Sequence, residues 1–139
     1  MQHTSKLPNI KTTIFTVMSA LAQKHQAINL SQGFPNFECN SELRKLVTKA
    51  MADGFNQYAP MPGVFELRNE VSKKIERLYD AYYHPENEIT ITAGATQAIF
   101  TAISTFVYAY DEVIVFKPAF DCYEPAIELS GGNVIPIQL

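Results

Sequence analysis

Apolar side chains recur at helical spacing three times in the first eighty residues. Ile14, Met18, Leu21 and Ala22 mark one buried face of a helix over residues 13–25, with Phe15 beside that face, placed either to pack or to project into a site. Leu43, Leu46, Val47, Ala50 and Met51 mark a second helix. Ser41 is its expected N-cap and Gly54 its stop, and Arg44 in the third position leaves no reciprocal capping box. Leu67, Val71, Ile75 and Leu78 mark a third. Glu70 and Lys74 are spaced there for an i,i+4 ion pair, and the lysines and arginine on the outer face read as solvating it. Between the first two helices lies Ser31-Gln32-Gly33-Phe34-Pro35-Asn36-Phe37, an ordered turn or extended loop whose two phenylalanines suggest that it is tucked against something. Between the second and third lies Asn56-Gln57-Tyr58-Ala59-Pro60-Met61-Pro62-Gly63, where the tyrosine reads first as a packed surface anchor.

After a polar connection around Pro85 the pattern changes. Residues 89–92, Ile-Thr-Ile-Thr, predict a short strand; Gly94 breaks it, and Ile99, Ala102, Ile103, Phe106 and Val107 carry a helix that starts near Ala95. Val113-Ile114-Val115-Phe116 is a continuous apolar run of the kind found in strands buried on both faces. A helix from about Asp121 or Tyr123 to Ser130 follows, with Pro125 in its first turn. Gly131-Gly132 ends it, and residues 134–139 form a last strand in which Pro136 favours an edge or bulge. The order β-α-β-α-β predicts parallel strands with right-handed crossovers and a ligand site at the strands' carboxyl ends, the ends that Gly94 and Phe120 follow. At Gly94 a strand passes into a helix within about two residues, so unpaired backbone N–H groups and the positive end of a helix dipole can meet an anion. Gly94 and Ala95 let a phosphate approach closely, and Thr96 adds a hydroxyl. An ordinary turn that needs glycine for its geometry is the alternative reading.

Composition narrows the classes. With 139 residues, 47% of them hydrophobic and 18% charged, the chain is of one-domain size and of ordinary globular character. A formal net charge of -3 gives no electrostatic argument for nucleic acid or an anionic membrane, local patches apart. Cys39 and Cys122 lack metal-ligand spacing, His3, His25 and His84 are scattered, and two reduced thiols of a cytoplasmic protein are preferred to a Cys39–Cys122 disulfide. No signal-peptide core, membrane-length apolar run, glycine-rich nucleotide fingerprint, P-loop, H-E-x-x-H or C-x-x-C is present.

Five segments carry a resemblance. Asn29-Leu30-Ser31-Gln32-Gly33-Phe34-Pro35, Asn56-Gln57-Tyr58, Thr92-Ala93-Gly94-Ala95-Thr96-Gln97-Ala98, Asp111-Glu112-Val113 and Pro118-Ala119-Phe120-Asp121-Cys122-Tyr123 occur in the order and nearly the spacing of one family. From about Lys6 onward the chain resembles the N-terminal part of class I/II pyridoxal-phosphate-dependent aminotransferases. Within them it is most like the methionine and kynurenine branch, some members of which are cysteine-conjugate β-lyases. The resemblance implies an α/β chain of the aspartate aminotransferase-like fold type I with a mostly parallel sheet. Residues 1–55 would form an N-terminal arm and small-domain elements, and 56–139 the incomplete start of the large domain. It implies pyridoxal 5'-phosphate as cofactor, amino acid and 2-oxo acid substrates, and a homodimer with a shared site.

By the same resemblance, Gly94, Ala95 and Thr96 form the phosphate turn and Phe120 stacks on the pyridine ring. Tyr58 reaches the phosphate of the neighbouring subunit, Gly33 lies near the substrate α-carboxylate, and Phe15 lines the side-chain pocket. The family's Schiff-base lysine, its pyridinium aspartate and its carboxylate-binding arginine fall beyond Leu139 in the family pattern. Lys117, near a predicted strand end, is not aligned with that lysine. The chain is therefore expected to be an N-terminal segment of a longer enzyme, inactive alone and leaving a sheet edge and an apolar face exposed. A β-lyase, or a non-catalytic anion-binding fragment, are the competing expectations.

Overall fold

The computed structural model describes residues 4–33 and 35–139. In chain order the elements are α1 (Ile14–Lys24), α2 (Ser41–Ala52), α3 (Phe65–Tyr79), α4 (Gly94–Phe106), β1 (Glu112–Lys117), α5 (Tyr123–Leu129) and β2 (Asn133–Gln138). They fall into two compact units. One is Gly33–Thr92, with α2 and α3; the other combines the residues up to Gln32 with Ala93–Leu139.

In the second of these, β1 and β2 pair in parallel, Val113 opposite Val134 and Val115 opposite Pro136. A parallel pair needs a crossover, and α5 supplies it, packing on both strands and on α4. Pro136 can sit in β2 because a strand at the edge of a sheet keeps one side unpaired. Gly131 and Gly132 turn the chain from α5 into β2 tightly against residues 107–111. Tyr110 N–H donates to Gly131 O at 2.8 Å, and Asn133 N–H to Asp111 O at 2.7 Å. A Cβ on Gly132 would lie 2.6 Å from Val107 Cγ1 and 3.0 Å from Ile127 Cγ2, so this crossing admits only glycine without a shift of its neighbours. The core is small: among the described residues the buried hydrophobics are Val115, Ala126 and Ile127 here and Ile89 in the other unit.

Several expectations are corrected. Residues 89–92 form no strand; they run extended, and Ile91 N–H donates to Pro62 O at 2.9 Å. A strand needs a ladder partner, and β-branched composition alone does not provide one. The run 113–116 is not buried on both faces, since Ile114 and Phe116 are more than half exposed. The face of α1 that periodicity marks for burial is also open, with Ile14, Met18 and Leu21 exposed. Asn40, not Ser41, caps α2; its side-chain oxygen accepts from Glu42 N–H at 2.8 Å, so the cap precedes the expected one by a single residue. Glu70 pairs with Lys73 at 2.7 Å, not with Lys74, the i,i+3 neighbour being equally within reach on a helix surface. Phe37 is exposed, against the expectation of a tucked loop, and Phe34 lies outside the described residues.

Among the described residues no helix is long and apolar enough to cross a membrane. Ile127, 1% exposed, is the best-packed side chain of its unit. Ile127→Ala in the complete protein is expected to cost about 2–5 kcal/mol in urea unfolding. A loss below about 1 kcal/mol would show that α5 does not anchor the sheet.

Candidate active site

The helix α4 opens on Gly94, whose φ of +83° is a left-handed conformation that suits glycine. The residue before it, Ala93, provides no side-chain cap, and the first turn contains no acidic residue. Gln97 instead folds back, its Oε1 accepting from Ala93 N–H at 2.5 Å. Ala95 and Thr96 are exposed. A helix start without a carboxylate cap keeps its positive dipole end for whatever lies in front of it. A Cβ placed on Gly94 would meet nothing within 4 Å, so that space is open.

Phe120 follows β1 after the cis bond Lys117–Pro118 and is 47% exposed. Its ring meets that of Tyr123 edge-on, centroids 6.1 Å apart at 62°, so one face of the phenyl group remains available for stacking. Lys117, the last residue of β1, forms an ion pair with Glu124 of α5. The end of α4 is fixed at the amino edge of the sheet, where Val107 packs at Gly132. α4 packs on α5, and its thirteen residues at about 1.5 Å each span roughly 20 Å from Gly94 to the end that meets Gly132.

Phe15 is half-buried on α1 and lines a cavity of about 380 Å³ with Thr16, Ser19 and Gln32. A short network shapes that wall. Asn29 Nδ2 donates to Ser19 Oγ at 3.0 Å, Ser31 Oγ and N–H both donate to Asn29 Oδ1, and Ser19 Oγ donates to Gln32 Oε1 at 3.5 Å. The next residue, Gly33, is exposed. In the other unit Tyr58 stands 102% exposed at the tip of a loop, packing on none of the described residues, in contrast to the surface anchor first expected.

A family model described as aminotransferase class I and II matches residues 25–139. The chain belongs to that family. It is 55% identical over 130 residues to the methionine aminotransferase of Escherichia coli K12, covering 94% of this chain and 34% of that protein. Over 125 residues it is 38% identical to a kynurenine–oxoglutarate transaminase of Dictyostelium discoideum, covering 86% of this chain and 28% of that one. A crystal structure identified with a methionine aminotransferase function, also from Escherichia coli, superimposes on all of this chain and 36% of its own, with a TM-score of 0.95 and 52% identity. The aminotransferase chain thus spans about a third of the length of the relatives it matches. Its fold class, an aspartate aminotransferase-like α/β arrangement with parallel strands, is that of its structural neighbours.

One feature of this chain escaped the sequence. Arg68, one of the two arginines of α3, is 8% exposed and donates to backbone carbonyls, and Ser72 is buried beside it. Helical periodicity could not separate them from exposed polar residues, because each lies one position past an apolar residue of the stripe. Cys122, which ends the turn carrying Phe120, is a free thiol, as is Cys39, in agreement with the two reduced thiols preferred from the sequence. Partial burial first, and then the Asp121 carboxylate beside it, push the Cys122 thiol above its ordinary value. A raised pKa disfavours the thiolate, so alkylation of Cys122 at pH 7–8 is expected to be slower than that of a free model thiol, and Asp121→Asn should move its midpoint to lower pH. Mass-spectrometric alkylation rates against pH test this; an unchanged midpoint in the variant would remove Asp121 as a cause.

Proposed function

We propose that the protein to which these residues contribute is a pyridoxal 5'-phosphate-dependent aminotransferase. It moves an amino group from an amino acid (methionine, glutamine or an aromatic one) to a 2-oxo acid. The observation that carries this reading is the occurrence, in one unit, of an acid-free helix start opened by Gly94 and a half-exposed aromatic ring following the carboxyl end of a parallel strand. The residues present suit the cofactor. The open space where a Cβ of Gly94 would stand and the acid-free first turn of α4 suit a phosphate dianion, and Phe120 offers a flat apolar surface to a heteroaromatic ring. The identity of the methionine and kynurenine enzymes to this chain supports the reaction class.

In this reading the N–H groups of Ala95 and Thr96 and the Thr96 hydroxyl hold the phosphate, with Gly94 making room for it. Phe120 keeps the ring plane fixed. When bound, the cofactor supplies an aldehyde that takes up the amino group and a ring that accepts the electrons of the breaking Cα–H bond. Gly33 presents backbone to the substrate α-carboxylate, and Phe15, in its cavity wall with Ser19 and Gln32, shapes the space for the substrate side chain. Tyr58 gives its hydroxyl to the phosphate held by a neighbouring subunit of a homodimer; its full exposure agrees with a partner outside its own chain. Residues 1–55 then belong to the arm and small domain, and 56–139 open the large domain. No lysine of this chain is assigned the proton transfer, Lys117 being engaged by Glu124.

The test is made on the complete protein. An absorbance band of the bound cofactor that is lost on borohydride reduction, together with amino transfer from methionine to a 2-oxo acid, is expected; absence of both rejects the reading. Phe120→Ala is expected to weaken cofactor binding about tenfold, roughly 1.4 kcal/mol, in the range of one aromatic contact. An unchanged dissociation constant would show the stacking role to be misplaced.

A further inference from the structure

A buried arginine is costly unless its charge and its donors are met, and Arg68 meets them in an unusual way. Among the described residues no carboxylate pairs with it. Its Nε donates to Gly63 O at 3.1 Å, and its Nη1 donates to Pro85 O at 2.7 Å and Glu86 O at 3.3 Å. The Phe65 ring lies 5.8 Å from its Cζ. A planar fork of donors that stays charged at all working pH values thus bridges two turns that are more than twenty residues apart.

One of those turns is the root of the loop that carries Tyr58. Gly63 N–H donates to Pro60 O at 2.8 Å, closing a turn whose last residue has φ +95°, and a Cβ there would lie 2.6 Å from Ile91 Cγ1. The far root is pinned as well. Gly54, φ +93°, leaves α2, Phe55 N–H donates to Ala50 O at 3.1 Å, and Asn56 Nδ2 donates to Met51 O at 3.0 Å. Both roots are held while the tip is bare: Tyr58 and Met61 are almost wholly exposed. Fixing a loop before it meets its partner removes an ordering cost from binding. A loop serving only as a connection has no need of two such anchors.

We infer that Arg68 is a positioning residue for Tyr58: by clamping the Gly63 carbonyl to the 85–86 turn it presets the loop that delivers the tyrosine hydroxyl to the cofactor phosphate. The inference rests on the placement of Tyr58 proposed above. Ser72 provides an internal control, since its Oγ donates to Tyr83 O at 2.5 Å and so holds the same neighbouring segment without touching Gly63. Lysine at position 68 keeps the charge but lacks the fork needed to reach Gly63 and Pro85 together.

In the complete protein, freed of cofactor, Arg68→Lys is expected to speed exchange of the two amides bonded to this loop, Gly63 N–H to Pro60 O and Ile91 N–H to Pro62 O, at least tenfold. It should also weaken pyridoxal 5'-phosphate binding about tenfold, with both quantities within threefold of the parent in Ser72→Ala. Tyr58→Phe should weaken the cofactor by a similar factor, and in the double variant Arg68→Lys/Tyr58→Phe the two losses should fail to multiply, because one residue acts through the other. Unchanged loop exchange in folded Arg68→Lys, multiplying losses, or an equal effect of Ser72→Ala would each overturn the inference. If Tyr58→Phe weakens the cofactor and Arg68→Lys does not, only the role of Arg68 fails; if Tyr58→Phe has no effect, the Tyr58 reading fails and takes this one with it. Should Arg68→Lys not fold, the parent protein decides: its Gly63 amide must be protected to the same degree as those of α3, and free exchange there would reject the clamp.

Discussion

The close crossing of Gly131 and Gly132 over residues 107–111 joins the end of α4 to the α5–β2 turn and the start of the β1–β2 pair. Two backbone hydrogen bonds, from Tyr110 N–H and Asn133 N–H, and the contact of Val107 with the bare Cα of Gly132 tie the end of α4 to the start of β2 at one edge of the sheet. Once that edge is fixed, the parallel pairing of β1 with β2 puts the turn after β1 at the other edge, and α5 links the pair to α4. A side chain at position 132 would separate the strands from the helix at the point where their relative direction is decided.

Much of this was legible in the residues, and the failures have common physical causes. Helices over α1, α2, α3 and α4 followed from 3.6-residue periodicity, because side-chain spacing is a local property. Gly94 was legible as a breaker for the same reason: its left-handed φ is dictated by its own missing side chain. The parallel pairing of β1 with β2 across α5 was legible too, from the alternation of strand and helix patterns; what failed were readings of burial and of pairing for single segments. Residues 89–92 have strand composition, but a ladder needs a second strand. Val113 to Phe116 have the composition of a doubly buried strand, yet of these four only Val115 is buried.

Burial was likewise misread at both extremes. The stripe Ile14, Met18, Leu21 has a buried pattern and an exposed surface, while Arg68 has an exposed pattern and a buried position. Periodicity reports how side chains are distributed around an axis and is silent on what stands opposite them. Arg68 is recognisable only when the carbonyls of Gly63, Pro85 and Glu86 are seen converging on one point, a coincidence of three dimensions.

The ion pair between Lys117 and Glu124 has a consequence for the polarity of any two-ended ligand. The two opposite charges at the finish of β1 cancel locally, and the Asp121 carboxylate next to Phe120 adds negative charge, so the surroundings of Phe120 exert no net pull on an anion. In the proposed site, attraction for negative charge is then left to the opening turn of α4. On that proposal a molecule with an aromatic body and an anionic tail has one favourable way round, tail to the helix and body to the phenyl ring, because the reversed pose would set its charge beside a carboxylate.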